Sequence, residues 1–312
     1  MTPKGVPRPG RDAGDVAARR TRRSCAAEEQ TMTQSGKKAW EGILDYPLPG
    51  RTDKPREEGI TFLSIKGFGP AGLRDLVAVA ADYIDRVKLS FGTTLLYDEE
   101  LLREKIAILR AADIEVNPGG TCAEIAIYQG RYDRFLAHGR DLGFTTIEVS
   151  DGTITMDDSL REKAIKKALD AGFKVVSEVG KKDVELNLPV PEMIRQIERD
   201  LKFGVSKVTV ESRGSGRGIG VYDEEGQVKG DDVDEIISAI DPSRLIWEAP
   251  NKEGQEYFIK RLGINVNLGN IKPEDIIPLE GLRRGLRGDT FRLVVYQHEQ
   301  LRRMRGSAHS PS

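Results

Sequence analysis

The sequence predicts an α/β fold, a (β/α)8 barrel of the TIM type, on three observations. Eight short β-prone runs recur at a spacing of roughly thirty residues, about the length of one βα unit. The stretches between them place apolar residues three and four apart, the period of a helix that packs by one face. The helical stretches also stop at a recurring punctuation, as in DLGF (141–144), DAGF (170–173) and KFGV (202–205), and a β-prone run follows each. A doubly wound open sheet is the alternative. No G-x-G-x-x-G follows the first run, and the number of runs with the chain length favours closure.

The elements follow in order. Residues 1–38 are rich in Arg, Pro, Gly and Ala, with RRTRR at 19–23 and no apolar period, and are expected to form a disordered tail. Met32 is expected to be the initiator. The barrel is expected over 39–296, opened by a partly exposed lead-in, WEGILDYPLPGRTDKPREEG, that crosses the barrel bottom. Strands are expected at ITFLSI (60–65), RVKLSF (86–91), IEVN (114–117), TTIEV (145–149), FKVVSEV (173–179), SKVTVE (206–211), RLIWE (244–248) and INVNL (264–268). LRDLVAVAADYI, DEELLREKIAILRAA and DSLREKAIKKALDAG read as amphipathic helices, the last stopping at Gly172. Residues 297–312 read as a flexible C-terminus.

Composition narrows the chemistry. A formal charge of −2 over 312 residues argues against a dedicated nucleic-acid binder. Two cysteines, Cys25 and Cys122, cannot build a disulfide framework or a zinc site. No run of about 18 apolar residues could cross a membrane, and a cytoplasmic setting is expected. Of three histidines, His138 lies on a predicted helix and His298 and His309 in a polar C-terminal stretch. All three read as surface residues, which leaves carboxylates, lysines and arginines for any catalysis.

Barrel active sites lie at the C-terminal ends of the strands. Read there, the first run gives Lys66, the second Lys88, the third NPGGT (117–121), and the eighth Asn267 followed by LGN. The fourth to seventh end in Glu148, Glu178, Glu211 and Glu248, expected at similar depth around one arc of the mouth. Four clustered carboxylates repel one another and resist ionisation unless a cation neutralises them. Oxygen ligands without His or Cys suit Mg2+. Pairing of each glutamate with a lysine or arginine inside the barrel is the simpler structural alternative. KVVSEVGKK (174–182) ends a buried strand in Glu178, Lys181 and Lys182. SRGSGRGIG (212–220) places Arg213 and Arg217 among glycines that let backbone N–H groups approach an anion. LEGLRRGLRGDT (279–290) adds Arg283, Arg284 and Arg287. These residues point to a metal-assisted enzyme acting on a small, highly anionic, phosphorylated substrate.

IEVSDGTI (147–154), SEVGKK, GIGVYDEEGQVK (218–229), WEAPNK (247–252), VNLGNI (266–271) and LEGLRRGLRGDT together resemble the phosphosulfolactate synthase family over most of residues 58–292. The resemblance implies a barrel, a Mg2+ requirement, and addition of sulfite to phosphoenolpyruvate to give (2R)-phospho-3-sulfolactate, which in archaea opens coenzyme M synthesis. It implies Lys182 as the acid that protonates C2, with Lys181 as the fallback, and Arg213, Arg217 and Arg284 as binders of phosphate and sulfite. A homo-oligomer, a trimer for example, is also implied. The chain departs from the archaeal pattern at Gly214, Ile219 and Ser90-Phe91. A related barrel enzyme acting on another small phosphorylated acid is therefore an alternative. So is a non-enzymatic binding protein, because plant heat-stress proteins share the family. A Schiff-base aldolase using Lys66 or Lys88 is a fourth reading.

Overall fold

Eight short strands, all paired in parallel, make one sheet in a computed structural model whose described residues are Met1, 36–181, 188–212 and 216–307. The chain divides into Met1–Lys38 and Ala39–Ser312, and every strand lies in the second unit. The expected tail falls almost wholly outside the described residues, as does Met32.

The strands are β1 (Thr61–Ile65), β2 (Arg86–Leu89), β3 (Glu115–Asn117), β4 (Thr146–Val149), β5 (Lys174–Val179), β6 (Lys207–Val210), β7 (Leu245–Glu248) and β8 (Leu268–Ile271). Their order is β3-β2-β1-β8-β7-β6-β5-β4. The two ends of that order meet across Thr145, whose backbone N–H donates to the Val116 carbonyl at 3.0 Å. The Thr145 hydroxyl also accepts the Val116 N–H at 2.8 Å. One threonine thus supplies the hydrogen bonds of a seam without a regular ladder, and the sheet is a nearly closed barrel.

The connecting helices are α1 (Pro70–Ala80), α2 (Glu99–Ala111), α3 (Gly120–Tyr128), α4 (Tyr132–Leu142), α5 (Asp158–Asp170), α6 (Val190–Phe203), α7 (Gly230–Ala239) and α8 (Lys252–Leu262), then α9 (Ile276–Arg283) and α10 (Gly288–Ser307). Gly143 and Gly204 cap α4 and α6 in the left-handed conformation, at φ +98 and +103, which explains two of the three repeated punctuation marks. Residues 297–307 continue α10 rather than fraying, since QHEQLRRMRG contains no proline and many good helix formers. His138 is exposed on α4, as expected.

Strand residues alternate between two environments, the period of the pleat. Leu63, Val87, Ile147, Val175, Val208 and Trp247 face outward into the apolar layer under the helices. Phe62 and Ile246, with Ile60, form a separate small cluster inside the barrel. The remaining inward positions are largely charged. Towards the N-terminal strand ends, Arg86 and Lys174 both hold Glu115, at 2.5 and 2.9 Å. The Phe62 ring has the Arg86 guanidinium 5.3 Å from its centroid and the Lys88 ammonium 5.6 Å from it. It therefore lies between two charged layers.

The lead-in crosses the N-terminal end of the barrel. Two of its arginines are more buried than expected. Arg51 donates to Glu280 at 3.1 Å and Arg56 to Asp85 at 2.9 Å. Trp40, Ile43 and Leu44 are exposed.

Candidate active site

The C-terminal strand ends gather one lysine and four glutamates. Strand β2 turns Lys88 inward; β4, β5 and β7 present Glu148, Glu178 and Glu248; Glu211 follows β6 directly. The Lys88 ammonium stands 3.2 Å from both Glu148 oxygens, 3.3 Å from Glu178 Oε2 and 3.5 Å from Glu248 Oε1. The glutamate side chains on β4, β5 and β7 are 1–2 % exposed, against 11 % for Lys88. Burial alone would lower the Lys88 pKa, but the charges of Glu148, Glu178, Glu248 and Glu211 raise it well above the ordinary value. The ammonium form is held by the acids around it.

The acids are not equivalent. Burial raises the Glu148 pKa, Lys88 opposes the shift, and Glu178 and Glu248 add to it. Glu148 Oε1 also accepts the Gly120 N–H at 2.9 Å, at the first turn of α3. A Cβ at Gly120 would lie 2.2 Å from Ser150 Oγ and 3.0 Å from Glu148 Oε1, so only glycine lets that amide approach. This gives NPGGT a definite task. Glu248 Oε2 accepts the Ser212 N–H at 3.1 Å and the Asn270 amide at 3.3 Å. Glu211 is set apart. Burial first, then the charges of Glu178 and Glu248, then carboxyl hydrogen bonds with both, push its pKa well above the carboxylate range. Gly180 in the EVGKK turn makes room for it, because a Cβ there would lie 2.9 Å from that of Glu211.

A second charged chain braces the rim from behind. Arg161 on α5 binds Asp200 on α6 through two hydrogen bonds of 2.8 and 2.6 Å, and Asp151 at 3.1 Å. It also donates to the Glu178 carbonyl at 2.9 Å. Asp151 Oδ2 accepts from Lys181, whose ammonium also reaches the Asp151 carbonyl at 2.8 Å. Asp151, Arg161 and Lys181 border a cavity of about 360 Å³.

The other expected site residues are not seen in this buried cluster. Lys66 is exposed, its ammonium 4.7 Å from the Phe91 ring centroid, and Arg217 is exposed. Lys182 and Arg213 lie outside the described residues. Asn267 and Arg284 are corrected to the opposite end of the barrel. The last strand begins at Leu268, later than the INVNL run suggested, so Asn267 precedes it. Its amide donates to the Ser243 and Leu245 carbonyls at 3.0 and 2.9 Å and accepts the Ile60 N–H at 3.0 Å. Asn270 is the asparagine that reaches the rim. Arg284 pairs with Glu280 at 2.7 Å, beside Arg51 of the lead-in. Its neighbour Arg283 is wholly buried and donates to the Val266 carbonyl at 2.8 Å. Burial first, then Arg51, brings the Arg283 pKa down to about 9. LEGLRRGLRGDT thus contributes anchors for the lead-in. Asn270, Arg161 and Asp200 were missed by sequence reasoning. Only the LGN tripeptide touched any of them.

An eight-stranded parallel barrel with a sealed cluster of acids and a lysine at its C-terminal strand ends has the architecture of a barrel enzyme. The family model of (2R)-phospho-3-sulfolactate synthase (ComA) matches residues 49–289, and the chain belongs to that family. It is 44 % identical over 250 residues to a phosphosulfolactate synthase of Methanothermobacter thermautotrophicus, covering 80 % of this chain and 97 % of that one. A phosphosulfolactate synthase of Bacillus subtilis is 43 % identical over 247 residues, covering 78 % and 96 %. The heat-stress-associated 32 protein of Arabidopsis thaliana is 22 % identical over 260 residues, covering 75 % and 88 %.

Proposed function

We propose that the chain catalyses Mg2+-dependent addition of sulfite to phosphoenolpyruvate, giving (2R)-phospho-3-sulfolactate. The observation that carries this reading is the convergence of Glu148, Glu178, Glu211 and Glu248 at one rim, in a chain of this family. The donors are hard oxygens without His or Cys, the ligand chemistry that suits a small divalent cation. Glu178, Glu211 and Glu248, with Glu148, are the residues that would hold it. When bound it would supply electrostatic stabilisation for charge developing on the substrate carboxylate.

The reaction forms a bond between sulfite sulfur and C3 of phosphoenolpyruvate. The displaced electron pair moves onto the C2–carboxylate system, and a proton then goes to C2. A lysine ammonium supplies that proton; Lys182 is the first candidate and Lys181, fixed on Asp151, the second. Arg213 and Arg217 are the arginines left to bind phosphate and sulfite, since Arg284 is engaged with Glu280. The cytoplasm is the expected compartment and a homo-oligomer the expected state. Among the described residues no helix is long and apolar enough to cross a membrane.

A second reading keeps the barrel and changes the acid substrate. Ile219 is wholly buried and offers no charge to an anion. One experiment tests the first reading: purified protein with sulfite, phosphoenolpyruvate and Mg2+, followed by phosphorus NMR. Conversion of the phosphoenolpyruvate signal to a phosphosulfolactate signal is expected. An unchanged spectrum refutes the proposal. Conversion of another small phosphorylated acid alone supports the second reading.

A further inference from the structure

We propose that the cavity between α2, α3 and α4 binds a small amphipathic carboxylate, a molecule with an apolar body and one oxyanion head. The cavity has a volume of about 620 Å³. Small-molecule sites span about 300–1,000 Å³. Such a ligand would bind whatever reaction the rim performs.

The lining is mostly apolar. Leu102, Ala126 and Phe144 are buried there, Ile125 and Phe135 are half-buried, and Leu95 is 66 % exposed. A concave apolar surface that meets water gains free energy when a ligand covers it. The ionic part of the lining selects the head group. Its charged residues are Glu99, Arg131 and Arg134, with His138 beside them. Glu99 is already held by Arg103 at 2.7 Å. Arg131, Arg134 and His138 recur three and four residues apart at the start of α4, the spacing of one helix face. Neither arginine makes an ion pair with a described residue. A guanidinium holds a planar carboxylate through two parallel hydrogen bonds. Two arginines against one glutamate match a monoanion better than a phosphate dianion, which Glu99 would repel more strongly. Pro118 and Cys122 also line the cavity, and between them the Gly120 amide donates to Glu148 at 2.9 Å. A ligand here would therefore touch the segment that orients one of the rim acids.

Calorimetric titration of the full chain with octanoate tests this, with octan-1-ol and octylamine as neutral and cationic controls. Saturable binding of octanoate is expected, at least about tenfold tighter than either control. Arg131→Gln combined with Arg134→Gln should weaken octanoate about tenfold or more, and both positions are exposed, so the fold should survive. Ile125→Trp should abolish binding by filling the cavity; should that variant fail to fold, the arginine pair decides. Hydrogen exchange over residues 118–126 should slow several-fold when octanoate saturates the protein. Equal binding of the three head groups, octanoate affinity unchanged in the arginine variant, or unchanged exchange over 118–126 overturns the proposal. So does absence of octanoate binding by wild type; if Leu95→Asp then lowers the mass seen in sedimentation, a second copy of the chain covers this face instead.

Discussion

Replacing Arg161 by methionine removes a cation that links α5, α6 and the ends of β4 and β5. The guanidinium is 4 % exposed and the Asp200 carboxylate it holds is wholly buried. Burial alone would lower the Arg161 pKa, but hydrogen bonds and charge from Asp200, then the charges of Asp151 and Glu178, raise it. Methionine fills a similar volume but leaves Asp200 ionised without a partner, or forces it to take up a proton. Breaking a buried pair from one side costs about 3–5 kcal/mol. For a domain of this size that corresponds to a fall in melting temperature of roughly 6–20 °C. Urea and thermal unfolding followed by far-ultraviolet circular dichroism measure both. If the cost arises from the stranded carboxylate, Arg161→Met combined with Asp200→Asn should recover about 2 kcal/mol or more of the single loss. A single loss below about 1 kcal/mol, or strictly additive losses in the pair, would refute this account of the brace.

Three further outcomes follow from other contacts. Gly120→Ala should lower phosphoenolpyruvate turnover at least about tenfold, because the new methyl displaces Ser150 and the Gly120 N–H no longer meets Glu148; steady-state kinetics with sulfite check this. Arg284→Ala should leave the phosphoenolpyruvate KM within about twofold of wild type, since its partner Glu280 lies with the lead-in, while the melting temperature falls by a few degrees. Glu280 sets an acid limb: burial alone would raise its pKa, but Arg51, Arg283 and Arg284 lower it below the ordinary value. A depressed carboxylate contributes stability that is present above its unfolded pKa of about 4.3 and lost as pH falls through the folded value. Urea midpoints at pH 7, 4 and 3 should therefore fall less steeply with acid in Glu280→Gln than in wild type.

The fold was legible because barrel strands and helices carry different periods and stop at glycine. Seven of the eight expected runs overlap the observed strands to within two residues at either end. The eighth was read too early: INVNL has the strand composition, but Asn267 faces the N-terminal end of the barrel, and the pairing with β1 and β7 begins at Leu268. The four glutamates were legible because position at a strand end is a sequence property. Pairing with a lysine inside the barrel was foreseen as the simpler alternative and holds for Glu148, Glu178 and Glu248, but which lysine was not legible. Lys88 lies far from all of them in sequence, and nothing in RVKLSF says that its lysine reaches across the barrel. Arg284 illustrates the converse error. A basic segment after the last strand resembles an anion site, but here Glu280, one turn earlier, holds it against the lead-in.

Burying this much charge inside a barrel needs a physical reason, since desolvation makes isolated buried ions costly. The interior segregates its charges along the axis. Near the N-terminal strand ends Arg86 and Lys174 face Glu115 and Lys207 donates to the Ser243 carbonyl, whereas at the rim Lys88 faces Glu148, Glu178 and Glu248. Phe62 is near both, with the Arg86 guanidinium 5.3 Å and the Lys88 ammonium 5.6 Å from its ring centroid. An aromatic ring attracts a cation to either face, so Phe62 also contributes to holding Arg86 and Lys88 in place. A barrel evolved only for stability would fill the rim with branched apolar side chains, as most do. The rim of this one instead buries Glu148, Glu178, Glu211 and Glu248 around Lys88, an arrangement that costs desolvation and that stability alone gives no reason to keep.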